Sequence, residues 1–402
     1  MSMDRFGDKV CCNPNVKLKK QESYPVIDID KITPGYKAVR SVASIEYTGQ
    51  GGAKFQDHDV LFARITPCLE NGKMAIADTE GQNGIGSTEL FVFRGIDGVS
   101  DTDYVYYLLC MKHIRQLAAN SMTGASGRQR ADLDFIKRIQ WDFPDIEMQK
   151  KIASVLSAYD NLIEVNNKRI DFLEQIAENL YKEWFVRFRF PGHETEEFEN
   201  GIPEGWAYRR ADEVIDFNPT LKTGNQTEFT IIPMEALSTN SMVLDSGCFV
   251  RQDSISGRRS QNGDTLLAKI TPCLENGKTG FVMGMPENEV LGGSTEFVVM
   301  RSKALTPHYV YCIARSYYFR QTAILSMNGA DGRQRVDEDK LKSTKILQPE
   351  KTVLDHFETI VTPIFDGVYQ MVQENKNLIQ QRDLLLPRLM SGKLEVQYAL
   401  ND

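Results

Sequence analysis

The stretch Ile65-Thr66-Pro67-Cys68-Leu69-Glu70-Asn71-Gly72-Lys73 occurs again, residue for residue, at Ile270 to Lys278. The shift of 205 is kept by Tyr104-Val105-Tyr106 with Tyr309-Val310-Tyr311, and by Arg115-Gln116 with Arg320-Gln321. It is kept again by Gly127-Arg128-Gln129-Arg130 with Gly332-Arg333-Gln334-Arg335, and by Asn13-Pro14 with Asn218-Pro219. Gly86-Ser87-Thr88-Glu89 returns slightly later, as Gly293-Ser294-Thr295-Glu296. Chance does not produce such a collinear run. The period is far longer than the roughly 20–50 residues of a solenoid repeat. The chain is a tandem duplication of a whole domain.

Each copy has two parts. Residues 1–143 and 206–348 read as mixed strand and loop. Asp59-Val60-Leu61-Phe62-Ala63-Arg64-Ile65 and Asp264-Thr265-Leu266-Leu267-Ala268-Lys269-Ile270 predict strands ended by Thr-Pro. Glu89 to Arg94 and Glu296 to Arg301 predict a second buried strand, and Tyr104 to Asn120 and Tyr309 to Leu325 short helices. The other part is helical, over 144–190 and 349–402. Ile146 to Trp184 contains neither Gly nor Pro, and Leu156, Tyr159, Ile163, Asn166, Ile170, Leu173, Ala177, Leu180 and Trp184 alternate steps of three and four. The second copy gives Val361, Ile364, Val368, Met371, Asn375, Leu378, Arg382, Leu385 and Leu389. Pro363 and Gly367 predict a kink or restart near its beginning. Two such seams in one duplicated chain pack most simply on each other, antiparallel, with Asn166 and Asn375 fixing the register. An ordinary amphipathic helix lying on its own domain is the alternative. Residues 191–205, acidic and rich in Pro and Gly, read as a linker. The expected fold is α+β: two tandem mixed α/β domains, separated by two long antiparallel coiled-coil helices in a pseudo-twofold arrangement.

Composition narrows the function. With 402 residues, 41% hydrophobic and 25% charged, the chain is neither disordered nor collagen-like. No run of eighteen apolar residues predicts a membrane span. The start, Met1 to Phe6, lacks the apolar core of a signal peptide. Seven cysteines, an odd number without Cys-x-x-Cys, suit a reduced cytoplasmic protein. Cys68 and Cys273 recur without a matching His and read as small buried residues beside a turn. A net charge of −8 does not advertise nucleic-acid binding, so that reading must rest on local charge.

No catalytic signature survives inspection. Gly72-Lys73 lacks the phosphate-loop spacing, and Asn13-Pro14-Asn15 and Asn218-Pro219-Thr220 lack the second Pro and aromatic of an amine-methylating loop. The five histidines show no metal-ligand spacing. Local charge is more informative. Arg128, Gln129 and Arg130 follow a Gly-rich loop, and Arg333, Gln334 and Arg335 follow its counterpart. Gly lets backbone amides approach a phosphate, and Arg and Gln are side chains that reach base edges bidentately. Arg64 and Lys269, and Lys73 and Lys278, hold matching places around the Thr-Pro-Cys loop, while the second copy adds Arg251, Arg258 and Arg259. These residues form candidate DNA contacts. The alternative is structural pairing, with Asp132 or Asp337 as the carboxylate. Matched segments between the shared blocks, 39–55 and 244–260, differ and are where the copies would read different bases. Trp184-Phe185-Val186-Arg187-Phe188-Arg189-Phe190 ends the first helix with aromatics and Arg alternating, a pattern for packing or subunit contact rather than base stacking.

The order of domain, long helix, Phe190-Pro191-Gly192-His193-Glu194, Ile202-Pro203-Glu204-Gly205-Trp206, domain, long helix resembles the specificity subunit of type I restriction–modification systems. The resemblance covers essentially the whole chain. One departure is that copy one begins almost at Met1, without the Pro-Glu-Gly-Trp lead-in of copy two. The resemblance implies two target recognition domains, each reading half of a bipartite, asymmetric site on double-stranded DNA. It implies spacer helices that dock two methyltransferase subunits through Asn166, Ile170, Leu173, Trp184, Phe185, Asn375, Leu378 and Leu385. It implies a restriction/translocase subunit joining that core, S-adenosylmethionine held by the modification subunits, and no catalytic residue, cofactor or metal in this chain. The other class of reading is a tandem-domain scaffold or decoy that binds modification subunits without reading DNA.

Overall fold

The computed structural model describes residues 3–125, 127–330 and 332–394. The tail 395–402, and Ser126 and Asp331 within the two Gly-rich loops, lie outside the described residues. The chain forms two compact units: residues 1–165 with 374–402, and residues 166–373. Each unit therefore takes in one globular part and a portion of both long helices, instead of leaving the helices as a separate layer.

In the first unit, five strands run in the order Val10–Cys12, Leu90–Gly95, Val60–Ala63, Met74–Asp78, Ala38–Arg40. A second sheet runs Ser44–Glu46, Ser23–Ile27, Gly84–Gly86, Ala53–Phe55. Side chains alternate along a strand, and here both faces are apolar. Val60, Phe62, Phe91 and Phe93 point into a core shared with helices Thr102–Cys110 and Lys112–Asn120. Leu61, Leu90 and Val92 point into another, shared with Phe55 and Ile27 of the second sheet. The predicted single helix over 104–120 is thus two, broken at Met111, whose extended backbone ends one and starts the other. The second unit repeats the plan. One sheet runs Ile215–Phe217, Phe297–Ser302, Thr265–Ala268, Thr279–Phe281; the other runs Val250–Gln252, Phe229–Ile232, Leu291–Gly293, Arg258–Ser260.

Repeated residues hold matching parts of this frame. Asn13 and Asn218 adopt left-handed backbone, φ 49° and 52°. Each turns its side-chain oxygen onto a sheet amide, that of Val92 at 2.9 Å and that of Val299 at 3.0 Å. Asp59 and Asp264, each 1% exposed, receive two guanidinium hydrogen bonds from Arg94 and Arg301. Lys73 and Lys278 donate to the carbonyls of Ile29 and Met234, at 2.9 and 3.1 Å. Cys68 and Cys273 are half-buried, not buried, because the turn that carries them lies at the surface.

The long helices span Ile146–Tyr181 and Lys351–Met390, about 54 and 60 Å at 1.5 Å per residue. Lys182–Val186 extends the first by a π-helical turn. The second does not restart at Pro363 or Gly367 but is one element through both. Val361, Phe365 and Val368, all 0% exposed, hold it in place, and Leu173 lies near Gly367. Tertiary packing outweighs one missing helical hydrogen bond. In the second unit Trp184 packs on Phe357, ring centroids 5.8 Å apart, while Leu173 lies against Gly367, so the helices run in opposite directions. In the first unit Ile152 and Leu156 share a core with Leu389 and Met390, and Asp160 meets Arg382. The direction is again antiparallel. Asn166 and Asn375 are both buried on their helices.

Phe357 is fully buried and Phe172 is 64% exposed. Phe357→Ala should therefore lower stability by about 3–5 kcal/mol, and Phe172→Ala should change it by less than about 0.5 kcal/mol. Urea denaturation midpoints of the two variants measure the contrast.

Candidate nucleic-acid interface

Three repeated blocks meet at the end of one strand. After Val60–Ala63, Arg64 N donates to the Glu89 carbonyl at 3.0 Å, and the Arg64 carbonyl accepts from Ala131 N at 2.8 Å. Thr66 N donates to the Gln129 carbonyl at 3.0 Å. In the second unit Lys269, Glu296, Thr271, Gln334 and Val336 make the same three bonds, at 3.0, 3.1 and 2.9 Å. The shared Thr-Pro-Cys, Gly-Ser-Thr-Glu and Gly-Arg-Gln-Arg sequences are thus pieces of one backbone junction, present once per unit.

The junction carries a hairpin. Thr123 and Arg130 exchange two backbone hydrogen bonds, 3.0 and 2.9 Å, and Asn328 and Arg335 exchange two at 2.9 Å. Gly124 and Gly329 take φ of 122° and 126°, where an L side chain is strained and a Cβ would press on the Arg128 or Arg333 carbonyl. Arg128 and Arg333 stand exposed near the tips, and no ion pair of either is found among the described residues. Gln129 and Gln334 are half-buried, with their carbonyls used in the junction.

Arg130 and Arg335 point the other way. Arg130 grips Glu89 through Nε and Nη2, at 2.5–3.1 Å, and Arg335 grips Glu296 at 2.7–3.0 Å. These are bidentate pairs. The structural alternative in the sequence placed Asp132 or Asp337 opposite these arginines. The structure gives that place to Glu89 and Glu296. Asp132 and Asp337 instead cap short helices, accepting from Asp134 N at 2.8 Å and Asp339 N at 3.1 Å. The one signal that could have found the glutamates was their recurrence in step with the arginines.

The remaining basic candidates are engaged by the protein to different degrees. Arg64 sits 3.7 Å from Glu89 and over the Phe91 ring. Lys269 and Arg258 both pair with Glu338 at 2.7 Å, and Arg259 donates to the Leu221 carbonyl at 2.5 Å. Lys73 and Lys278 are tied to backbone carbonyls, as described. Arg251 is different. It lies on the edge strand Val250–Gln252, 57% exposed, with a 3.4 Å pair to Glu289. The matching edge strand of the first unit is Ser44–Glu46, and every residue of both is exposed. Ser44 opposite Pro25 corresponds to Arg251 opposite Thr230. The two units therefore present the same junction together with edge strands of differing sequence.

The helix residues expected at a subunit interface are mostly turned inward. Ile170, Trp184 and Phe185 are buried in the core of the second unit, and Leu173 packs against it. Leu385 packs against the core of the first unit, Asn166 and Asn375 are buried, and Leu378 is half-buried. These side chains form the seam itself, so a partner would meet the opposite face. That face shows Leu162 and Val165 in the first unit, and Phe172 and Ile176 in the second, all 44–64% exposed. The heptad pattern identified the seam but gave no weight to these four. Among the described residues, no His, Cys, Asp and Glu side chains group as metal ligands, and no helix is long and apolar enough to cross a membrane.

Residues 10–175 match the family model for the type I restriction modification DNA specificity domain. The chain is 25% identical to the MjaIX specificity subunit of Methanocaldococcus jannaschii over 76% of this chain and 72% of that one. It is 23% identical to the MjaVIII specificity subunit of the same organism over 98% and 92%. Among solved structures, the S subunit of the type I restriction-modification system of M. genitalium superposes with a TM-score of 0.54 at 13% identity, covering 96% of this chain and 95% of that one. That likeness is one of fold.

The hydrogen bonds of Arg130 and Arg335 hold Glu89 and Glu296 below the usual carboxylate range, against burial that pushes them up. The sign follows: a depressed folded value contributes stability above the unfolded value of about 4.3, and that contribution disappears as pH falls through the folded value. Glu89→Gln with Glu296→Gln should shrink the drop in urea midpoint between pH 7 and pH 3. An unchanged drop would remove the pairs from the stability account.

Proposed function

We propose a specific task for this chain, which belongs to the family of type I restriction–modification specificity subunits: it reads a bipartite, asymmetric site on double-stranded DNA and performs no chemistry itself. The carrying observation is the pairing of sameness and difference. Each unit offers an exposed Arg, Arg128 or Arg333, on a matching hairpin, together with an edge strand whose residues differ. A shared Arg suits a phosphate, which is the same at every base pair. Differing edge residues suit base edges, which are not. Two half-sites read by two unlike surfaces give an asymmetric sequence.

The same reading assigns the partners. The two long helices act as a spacer, and the exposed stripe Leu162, Val165, Phe172 and Ile176 suits the docking of methyltransferase subunits. The helical element itself occurs twice, so two modification subunits bind, and restriction/translocase subunits join that core, although the apolar stripe is confined to the first long helix. S-adenosylmethionine is held by the modification subunits. The net charge of −8 fits a reader that relies on basic surface supplied by its partners.

The complex reconstituted with its modification subunit tests this. Arg128→Ala or Arg333→Ala should weaken binding to every DNA sequence and lower the salt slope by about one. Arg251→Ala should relax one half-site only, raising the affinity for single-base variants relative to the cognate site by about 5- to 150-fold. Methylome sequencing should return a two-part asymmetric motif. A continuous palindrome, or a complex that methylates with no sequence preference, would overturn the proposal.

A further inference from the structure

Corresponding positions of the two copies carry opposite chemistry where the long helices pack. In the first unit Asp160 and Arg382 are both buried, at 6% and 8% exposure, and pair at 2.5 Å. Tyr107 also donates its hydroxyl to Asp160, and Arg382 donates to the Gly35 carbonyl at 3.1 Å. The duplication maps Tyr107 onto Cys312, Asp160 onto Phe365 and Arg382 onto Ala177, each by the shift of 205. All three of these are buried in the apolar core of the second unit. There Phe365 packs edge-on against Phe281, His308 and Tyr311, at 5.3, 4.3 and 5.4 Å. One copy has an ion pair where the other has an aromatic cluster.

A duplicated chain carries a hazard. Each long helix is similar enough to its sister that either could pair with its own counterpart in a second copy of the chain. We propose that Asp160 and Arg382 are a pairing code, which admits the sister helix of the same chain and excludes like-with-like pairing with a second copy. The inference rests on the reading of the two helices as one antiparallel pair. If two first helices paired in that geometry, each Asp160 would face the second copy's Ala177 and be buried with no cation. If two second helices paired, each Arg382 would face the second copy's Phe365, lose its buried partner and keep only the exposed Asp383 carboxylate of its own helix, 2.9 Å away. Only the sister pairing gives Asp160 a cation and Arg382 a buried partner. A buried ion pair adds little stability over a well-packed apolar one, whereas a buried charge left alone is strongly disfavoured. A polar group at one seam position fixes partner choice in coiled coils in the same manner.

A protease site placed in residues 191–205 of the full chain allows cutting after folding. The cut protein is unfolded in urea, refolded, and its pairs are weighed by native mass spectrometry. Wild type should return the mixed pair almost alone. Tyr107→Cys with Asp160→Phe and Arg382→Ala, which transplants the apolar chemistry of the second unit, should lower the ratio of mixed to like pairs by at least about tenfold. Asp160→Arg with Arg382→Asp keeps the pair with its charges exchanged, and should retain mixed pairing; it decides the matter if the triple variant does not fold. Mixed pairing undiminished in the triple variant, or lost in the charge-exchanged one, overturns the code. Wild-type halves that refold without pairing would overturn the antiparallel reading on which it stands.

Discussion

A sheet that is apolar on both faces must be covered twice, and the rest of this structure follows from how that cover is supplied. In the first unit Val60, Phe62, Phe91 and Phe93 face one core, and Leu61, Leu90 and Val92 the other. The second sheet closes one side. The other side needs two short helices and, beyond them, the start of one long helix with the end of the other. The second unit meets the same need with Leu267, Val298 and Met300, closed by the end of the first long helix and the start of the second. Neither globular part completes its core from its own half of the chain. That is why the compact units cut through both helices.

On this frame the repeated blocks have a physical explanation that does not depend on ligand. Glu89 and Arg130 lie 41 residues apart, and each recurs because the other does. The same holds for Asp59 with Arg94 and for Asn13 with the Val92 amide. The junction anchors the base of the hairpin, and Gly124 and Gly329 supply the positive φ it needs there. The exposed Arg at its tip is positioned by everything beneath it. The edge strands differ between the units, and every residue of both is exposed.

The two units are copies in fold but not in chemistry. Lys37 donates to Ser157 at 2.7 Å and pairs with Asp103 at the same distance, tying the first globular part to its helix through polar groups. Burial would push the Asp103 carboxyl up, but the His58 and Lys37 partners together hold it at about 2. The corresponding residues of the second unit are Met242, His308 and Thr362, and the packing there is largely aromatic and aliphatic. Divergence of this kind costs the fold nothing, because either set satisfies its own neighbours. It separates two surfaces that would otherwise be interchangeable.

The sequence by itself determined what depends on local pattern: the duplication, the two buried strands after residues 59 and 264, the apolar seams of the long helices and the inward Asn residues. These are fixed by periodicity and by identity between copies, both of which are one-dimensional. What only the tertiary structure decided is the use of each charge. Arg128 and Arg130 are two residues apart and alike on paper, yet one is presented to solvent and the other closes on Glu89. Arg258 and Arg259 stand in a variable segment that invited a base-reading role, and both are held by groups 38–80 residues away. Pro363 marks a break in the sequence, yet the helix continues through it. In each case the outcome turns on a partner distant in the chain, and the free energy of a charge or a missing hydrogen bond is set by that partner rather than by its neighbours in sequence.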